Sequence, residues 1–283
     1  MKYRLVGSEM CIRDRSIRWS YFPRMLPWLV EFLKSGGVEK LPAIADAMLN
    51  LNRPNLDLYK QLLKGTGHEN LIEDCAYVFV TRSKTKMNLE TLEWKLRRER
   101  GVPIQAITGD EARELEPDLS PSIQNGVLIN GQGRTTNPGR LGKVIAEKAI
   151  AQGVKYFKAE VKRIVPLTNG GYEIVTDNGN KQASKLVLTA GVWSAKLLKD
   201  FGVNVLLEAE RGYHLIFKEP DVTLKNSILD ADNKFVSSSM EMGMRSAGTA
   251  EFAGVDAPPN YKRALIFKDL SLIHISEPTR RYF

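Results

Sequence analysis

The stretch Leu186-Val-Leu-Thr-Ala-Gly-Val-Trp-Ser-Ala-Lys-Leu-Leu198 constrains the fold more than any other in the chain. A Val- and Leu-rich run, too short for a buried helix, breaks at Ala190-Gly191 and resumes with helical spacing. That reads as a buried strand (Lys185 to Thr189), a tight turn and a helix N-terminus. Ser194 is placed to cap the helix, and Leu197 and Leu198 open its apolar face. In open parallel sheets such a corner offers free amides to an anionic group, often a nucleotide phosphate; the competing reading is an ordinary strand-to-helix corner.

The flanking segments bear on that choice by their order. A helix from Pro138 to Gln152, with Leu141, Val144, Ile145, Ala149 and Ile150 on one face, leads into strands at Val154 to Phe157, Glu160 to Leu167 and Tyr172 to Thr176. Asn169-Gly170-Gly171 and Asn178-Gly179 are hairpin signals. Helix, strand, three-strand meander and corner make up the second half of a flavin-binding Rossmann-type domain, whose first half carries a glycine-rich pyrophosphate loop. No complete GxGxxG occurs in the chain: after Gly131 and Gly133 the third glycine is replaced by Thr136, so 131–137 reads as a loop behind a strand at Gly126 to Asn130.

Ahead of this region lie helices. Leu26, Leu29, Val30 and Leu33 share a face from Tyr21 onward, with Trp28 as a core aromatic and Gly36-Gly37 as the stop. A second helical region spans Leu41 to Leu63, cut by Pro54, with Ile44, Met48, Leu51, Tyr59 and Leu62 as its buried side. Cys75 to Thr81 alternates as a strand. The helix from Leu89 to Arg100 carries Arg97, Arg98 and Arg100 among Glu90, Glu93 and Glu99, a salt-bridged solvated face. Thr108 to Pro117 is a short capped helix. Beyond Val205, strands at Leu206 to Phe217, Ser227 to Leu229, Phe235 to Ser238, Met240 to Ser246 and Thr249 to Phe252 form an antiparallel sheet.

The formal charge is +8, but Lys and Arg are dispersed among Asp and Glu, which suits a solvated surface and not a nucleic-acid partner. Two cysteines without metal-type spacing indicate neither a disulfide framework nor a metal site. No apolar run reaches the roughly 20 residues that span a bilayer, and the N-terminus lacks a signal-peptide core, so a cytoplasmic location is expected. Residues 1–15 and 270–283 are similar to translated sequencing-adapter segments and are expected to be artefactual ends, which removes Cys11 and His274 from consideration.

Six segments occur in a specific order: Tyr21-Phe-Pro-Arg-Met-Leu-Pro-Trp28, Leu115-Glu-Pro117, Asn137-Pro-Gly-Arg-Leu141, Leu186 to Leu198, Arg211-Gly-Tyr-His214 and Ala247-Gly-Thr-Ala-Glu-Phe-Ala-Gly254. Together they resemble the landmarks of FAD-dependent oxidoreductases of the D-amino-acid oxidase superfamily, the D-amino-acid dehydrogenase-like group above all. The resemblance covers about Ser16 to Ala264 and lacks two family landmarks, the N-terminal GxGxxG unit and a C-terminal glycine-rich segment over the flavin.

It implies a mixed α/β (α+β) fold: a truncated Rossmann-type FAD-binding domain interleaved with an antiparallel-sheet substrate domain. Helices and a strand of the substrate or cap region fall in 16–130, the second part of the FAD-binding domain in 131–204, and the antiparallel substrate domain in 205–269. The implied activity is hydride transfer from the α carbon of an amino acid or amine to flavin N5, giving an imino and then a keto acid. The flavin carries that chemistry while the protein orients it. By position, Val161, Ala190, Gly191 and Trp193 match cofactor contacts, with core packing as the other reading of Trp193. Arg211, Tyr213, His214 and Arg245 match the substrate side. An Arg clamps a carboxylate bidentately, although each of these two could instead be a surface ion-pair residue, and His214 a satisfied core residue. No catalytic residue and no metal ligand is assigned. A chain with only this half of the site is expected to hold FAD weakly or not at all. The implied partner is a small-molecule amino acid or amine; the resemblance names no electron acceptor and leaves peripheral membrane association of the whole protein open. A superfamily member acting on a hydroxy acid, sarcosine or glycine, or a non-catalytic basic binding protein, are the alternatives.

Overall fold

The computed structural model describes residues 15–274. β1 (Arg15–Ile17) leads into α1 (Phe22–Ser35), with Pro23 in the first turn, where the missing N–H costs nothing. α2 (Leu41–Asn52) and α3 (Asn55–Leu63) are one helical region divided at Pro54. Then come β2 (Ile72–Thr81), α4 (Leu92–Glu99), β3 (Ile104–Thr108), α5 (Gly109–Leu115), β4 (Asn125–Thr135) and α6 (Pro138–Ala151). Local chemistry sets two of these starts. The Glu111 N–H donates to Thr108 Oγ1 (3.2 Å) while the Thr108 N–H donates to the Glu111 carboxylate (2.7 Å), a capping box; Asn137 Oδ1 accepts from the Arg140 N–H at 3.0 Å.

β5 (Val161–Pro166), β6 (Tyr172–Thr176) and β7 (Lys181–Ala183) form a small antiparallel meander. Its first turn needs left-handed backbone at Gly170 and Gly171 (φ +90° and +87°), which a side chain would disfavour. After α7 (Ser194–Leu198) the chain makes β8 (Glu210–Phe217), β9 (Ser227–Asp230), β10 (Phe235–Met240), β11 (Gly243–Phe252) and α8 (Ile266–His274).

Eight strands join in one sheet in the order β1-β11-β10-β9-β2-β4-β3, with β8 on the other edge of β11. Neighbours are antiparallel except β1 with β11 and β2 with β9. The sheet thus draws strands from both 16–130 and 205–269. One face is closed by α5 and the segments around 119–123 and 222–224, over Val78, Val80, Leu128, Phe217, Ile228 and Met244. The other is covered near β3 and β4 by Trp94 of α4, packed on Val127 and Ile129. At the far end it is covered by α1, whose Trp28 lies 5.6 Å from the Phe252 ring.

Several local expectations are corrected. Val154 to Phe157 and Lys185 to Thr189 form no strand and join no ladder among the described residues; Val187 is left 83% exposed. Ser194 does not cap α7. A 3-10 turn at Gly191–Trp193 precedes it, and Ser194 is the buried first residue of the helix. Residues 131–133 are strand, not loop: β4 runs on to Thr135, with Gly131 at φ +69° beside the register shift between Cys75 and Tyr77. Met240 closes β10 and a turn follows, and from Gly243 the strands expected up to Ser246 and over Thr249 to Phe252 fuse into β11 through a bulge at Gly248. The helical faces read as buried are mostly open. Leu26, Val30, Leu33, Ile44, Met48, Leu51, Tyr59 and Leu62 are exposed, while Met25 and Leu63 are the buried residues of α1 and α3. Amphipathic spacing identifies a helix but not what covers it. Apart from Arg15 and 270–274, the terminal stretches 1–15 and 270–283 lie outside the described residues. Among the described residues no helix is long and apolar enough to cross a membrane.

Candidate active site

Alternation along β8 separates its three candidates. Tyr213 and Arg211 point to the face shared with Phe217, and His214 to the opposite one. Register extends this to β11: Arg211 lies opposite Glu251, and Tyr213 opposite Thr249, whereas His214 lies opposite Ala247 and Ile216 opposite Arg245. The four substrate-side candidates therefore form two pairs on opposite faces.

The pair Arg211 and Tyr213 is committed to Glu251, a carboxylate 3% exposed. The Tyr213 hydroxyl donates to Glu251 Oε2 at 2.6 Å and accepts from the Asn260 N–H at 2.8 Å. Arg18 donates through Nε to Glu251 Oε1 at 2.7 Å, and Arg211 Nη1 stands 3.7 Å from Oε2. Burial opposes the charge on Glu251, but the hydrogen bonds from Arg18 and Tyr213 and the two guanidinium charges outweigh it and hold the carboxyl below its usual pKa. This is a buried, charge-assisted clasp joining the segment after β1, β8, β11 and the loop at 255–260.

The other pair looks onto an uncovered trough. From β9 to β8, residues directly opposite one another put Leu229, Val236, Ser238, Arg245, Ala247, Ile216 and His214 on one face. None of the seven is buried, since the trough lies between α4 at one end and α1 at the other. Among the described residues the Arg245 guanidinium makes no hydrogen bond and no ion pair. Partial desolvation and the nearby Arg245 charge both lower the His214 pKa, so the ring is neutral at pH 7. A cation without a partner, a neutral imidazole and an apolar floor can receive a carboxylate and hold the atoms attached to it.

The cofactor candidates lie elsewhere, around the meander. Val161 begins β5 and is partly exposed. Ala190 precedes the 3-10 turn, and Gly191 is left-handed (φ +55°) with open space where a Cβ would stand. Trp193 is 61% exposed. α7 packs on β5, with Leu197 and Ile164 buried. The open corner, the bare backbone at Gly191 and the exposed indole fit a flat ring system such as those of a flavin nucleotide. The spacing of 186–198 points to the corner but carries no sign of how open it is.

Sequence reasoning missed Glu251 and Glu116. Glu116, 2% exposed, accepts from the Asn226 N–H (2.6 Å), Asn226 Nδ2 (2.8 Å) and the Lys225 N–H (3.1 Å), and so positions the chain entering β9. An acid followed by Pro117 was the available signal. A buried carboxylate inside an alternating strand, as at Glu251, was the other.

The family described as FAD dependent oxidoreductase (DAO) matches residues 19–270. A D-amino-acid oxidase of Bradyrhizobium diazoefficiens is 35% identical over 255 residues, covering 90% of this chain and 60% of that protein. A D-amino acid dehydrogenase of Dechloromonas aromatica is 28% identical, covering 93% and 66%. Among solved structures, glycine oxidase from Bacillus cereus superposes with a TM-score of 0.62 at 22% identity, covering 83% of this chain and 63% of that one; this likeness speaks to the fold. The chain thus spans about 60% of the length of the first of these relatives.

Proposed function

The chain belongs to the FAD dependent oxidoreductase family, and from that premise we propose that it serves the oxidation of a D-amino acid, with Arg245 as the carboxylate clamp. The observation that carries this reading is the division of the two arginines: Arg211 is committed to buried Glu251, while Arg245 has no partner among the described residues and shares an open trough with His214. The D configuration rests on the names of the relatives. FAD, when bound, supplies the two-electron acceptor for the α-hydride. Arg245 holds the carboxylate and thereby aims the α carbon away from the sheet. Leu229, Val236 and Ile216 give the substrate side chain an apolar floor. Neutral His214 presents an acceptor nitrogen for the proton that the substrate ammonium loses before its hydride leaves. Ala190, Gly191 and Trp193 at the corner, with Val161 at the meander, would hold the cofactor.

The test is anaerobic mixing of the protein, in excess FAD, with D-amino acids, L-amino acids, glycine, sarcosine and 2-hydroxy acids. Bleaching of the flavin by D-amino acids, with release of the 2-oxo acid, is the expected result. Bleaching by a hydroxy acid alone, or by L-amino acids alone, overturns the reading.

A further inference from the structure

A cleft of about 990 Å³ is lined by none of the eight candidates above. It opens between α2, α3, α4 and α6, over β2 and β4. Its floor residues Tyr77 and Phe79 lie on the same sheet face as Arg245, because Phe79 stands opposite Leu229, Leu229 opposite Val236, and Val236 opposite Ala247. Three strand spacings, about 14 Å, separate Phe79 from Ala247, so a substrate held at Arg245 leaves the cleft free. The volume lies at the upper end of small-molecule sites.

Three features of the lining point to one kind of occupant. The floor and wall are aromatic: the Tyr77 and Phe79 rings meet edge to face at 5.1 Å and 86°, and Tyr59 of α3 stands over the cleft. The charge is of one sign. Arg53, Arg97 and Arg100 line the cleft and no Asp or Glu does. Arg97 and Arg100 are held from outside by Glu93 and Asp46, whereas the Arg53 guanidinium has no partner among the described residues. Polar atoms are left over as well. Thr135 Oγ1 is buried without a hydrogen bond, and the Tyr77 hydroxyl has no partner among the described residues. Burial pushes the Tyr77 phenol up to about 12, which keeps it a protonated donor.

We propose that this cleft binds a flat aromatic carboxylate, its ring between Tyr59, Tyr77 and Phe79, and its charge on Arg53. Arg53 presents the planar fork that carboxylates prefer, and the Tyr77 O–H is left to donate to a ligand oxygen. The site is independent of the D-amino-acid reading and stands or falls without it.

The test is calorimetric titration of the 283-residue chain with 2-naphthoate and with its neutral counterpart 2-naphthylmethanol. Naphthoate is expected to bind at least tenfold more tightly. Arg53→Gln, at an exposed position that tolerates substitution, is expected to erase that difference, and Tyr77→Phe to weaken naphthoate several-fold. Arg245→Gln is expected to change neither affinity. Equal affinity for the two probes, no binding at millimolar concentration, or naphthoate binding that survives Arg53→Gln overturns the proposal. So does loss of naphthoate binding in Arg245→Gln, which moves the anion to the trough.

Discussion

Arg245→Gln is the sharpest perturbation of the proposed substrate site. A carboxylate seated on a guanidinium fork makes two charge-assisted hydrogen bonds, each worth about 1.5–3 kcal/mol when sealed from water. The trough is not sealed: Arg245 and its apolar neighbours are half-buried and His214 is open on one side, so solvent screens the pair and the low end of the range applies. A total loss of about 2–3 kcal/mol corresponds to a fall of roughly 30- to 140-fold in kcat/KM. Arg245→Lys keeps the charge but offers a point donor in place of a fork, and is expected to lose about tenfold. Arg211→Gln is the internal control. It lies across the sheet on Glu251, so it should lower thermal stability while changing kcat/KM less than threefold. The assay is flavin reduction by a D-amino acid in single turnover, with FAD in excess. If Arg245→Gln stays within threefold of the parent while Arg211→Gln loses thirtyfold, the clamp is Arg211 and the face assignment fails.

Two further outcomes test the surroundings of the trough. Glu116→Gln leaves one oxygen where three N–H donors converge, so about 1.5–3 kcal/mol of stability should go, seen as a drop in Tm of about 3–10 °C; a change under 1 °C refutes the staple at the entry to β9. His214 has its folded pKa below 6.5, so the folded chain binds fewer protons than the unfolded one between that pKa and 6.5, and the neutral ring gains as pH rises through this window. The acid limb of kcat/KM should accordingly lie below pH 6.5, move toward 6.5 in Arg245→Gln, which removes the neighbouring charge, and vanish in His214→Asn; an acid limb unmoved by Arg245→Gln refutes the coupling.

Signals that act within a few residues were legible. The spacing of Thr108 and Glu111, the break at Pro54 and the Gly170-Gly171 turn each fix backbone over one turn of chain, and each stands where the sequence puts it. Signals that need a distant neighbour were not. Val187 and Phe157 have strand-like surroundings, yet a strand exists only through the ladder beside it, and no described strand offers one. The apolar stripe Ile44, Met48, Leu51 has helical spacing and forms a helix, but spacing carries no information about what lies over the stripe, and here these side chains are exposed.

The candidate site shows the same limit at finer grain. Along β8, the two-residue period by itself separates His214 from Tyr213 and Arg211, so half of the division was present in the sequence. Assigning Arg245 required the register with β11, and that register is not uniform: His214 faces Ala247, but the preceding residue Tyr213 faces Thr249, because Gly248 is extruded as a bulge. Without the bulge, alternation from Arg245 would carry Ala247, Thr249 and Glu251 onto one face and leave Glu251 looking into the trough beside the free guanidinium. The extra residue turns Thr249 and Glu251 to the other face, where Glu251 neutralises Arg18 and Arg211 instead. A Cβ at position 248 would stand 2.6 Å from the Lys234 carbonyl oxygen and from Phe235, so a glycine is what lets the bulge sit against the β9–β10 turn. Gly248 therefore decides which arginine has a carboxylate of the protein as its partner and which, among the described residues, is left without one.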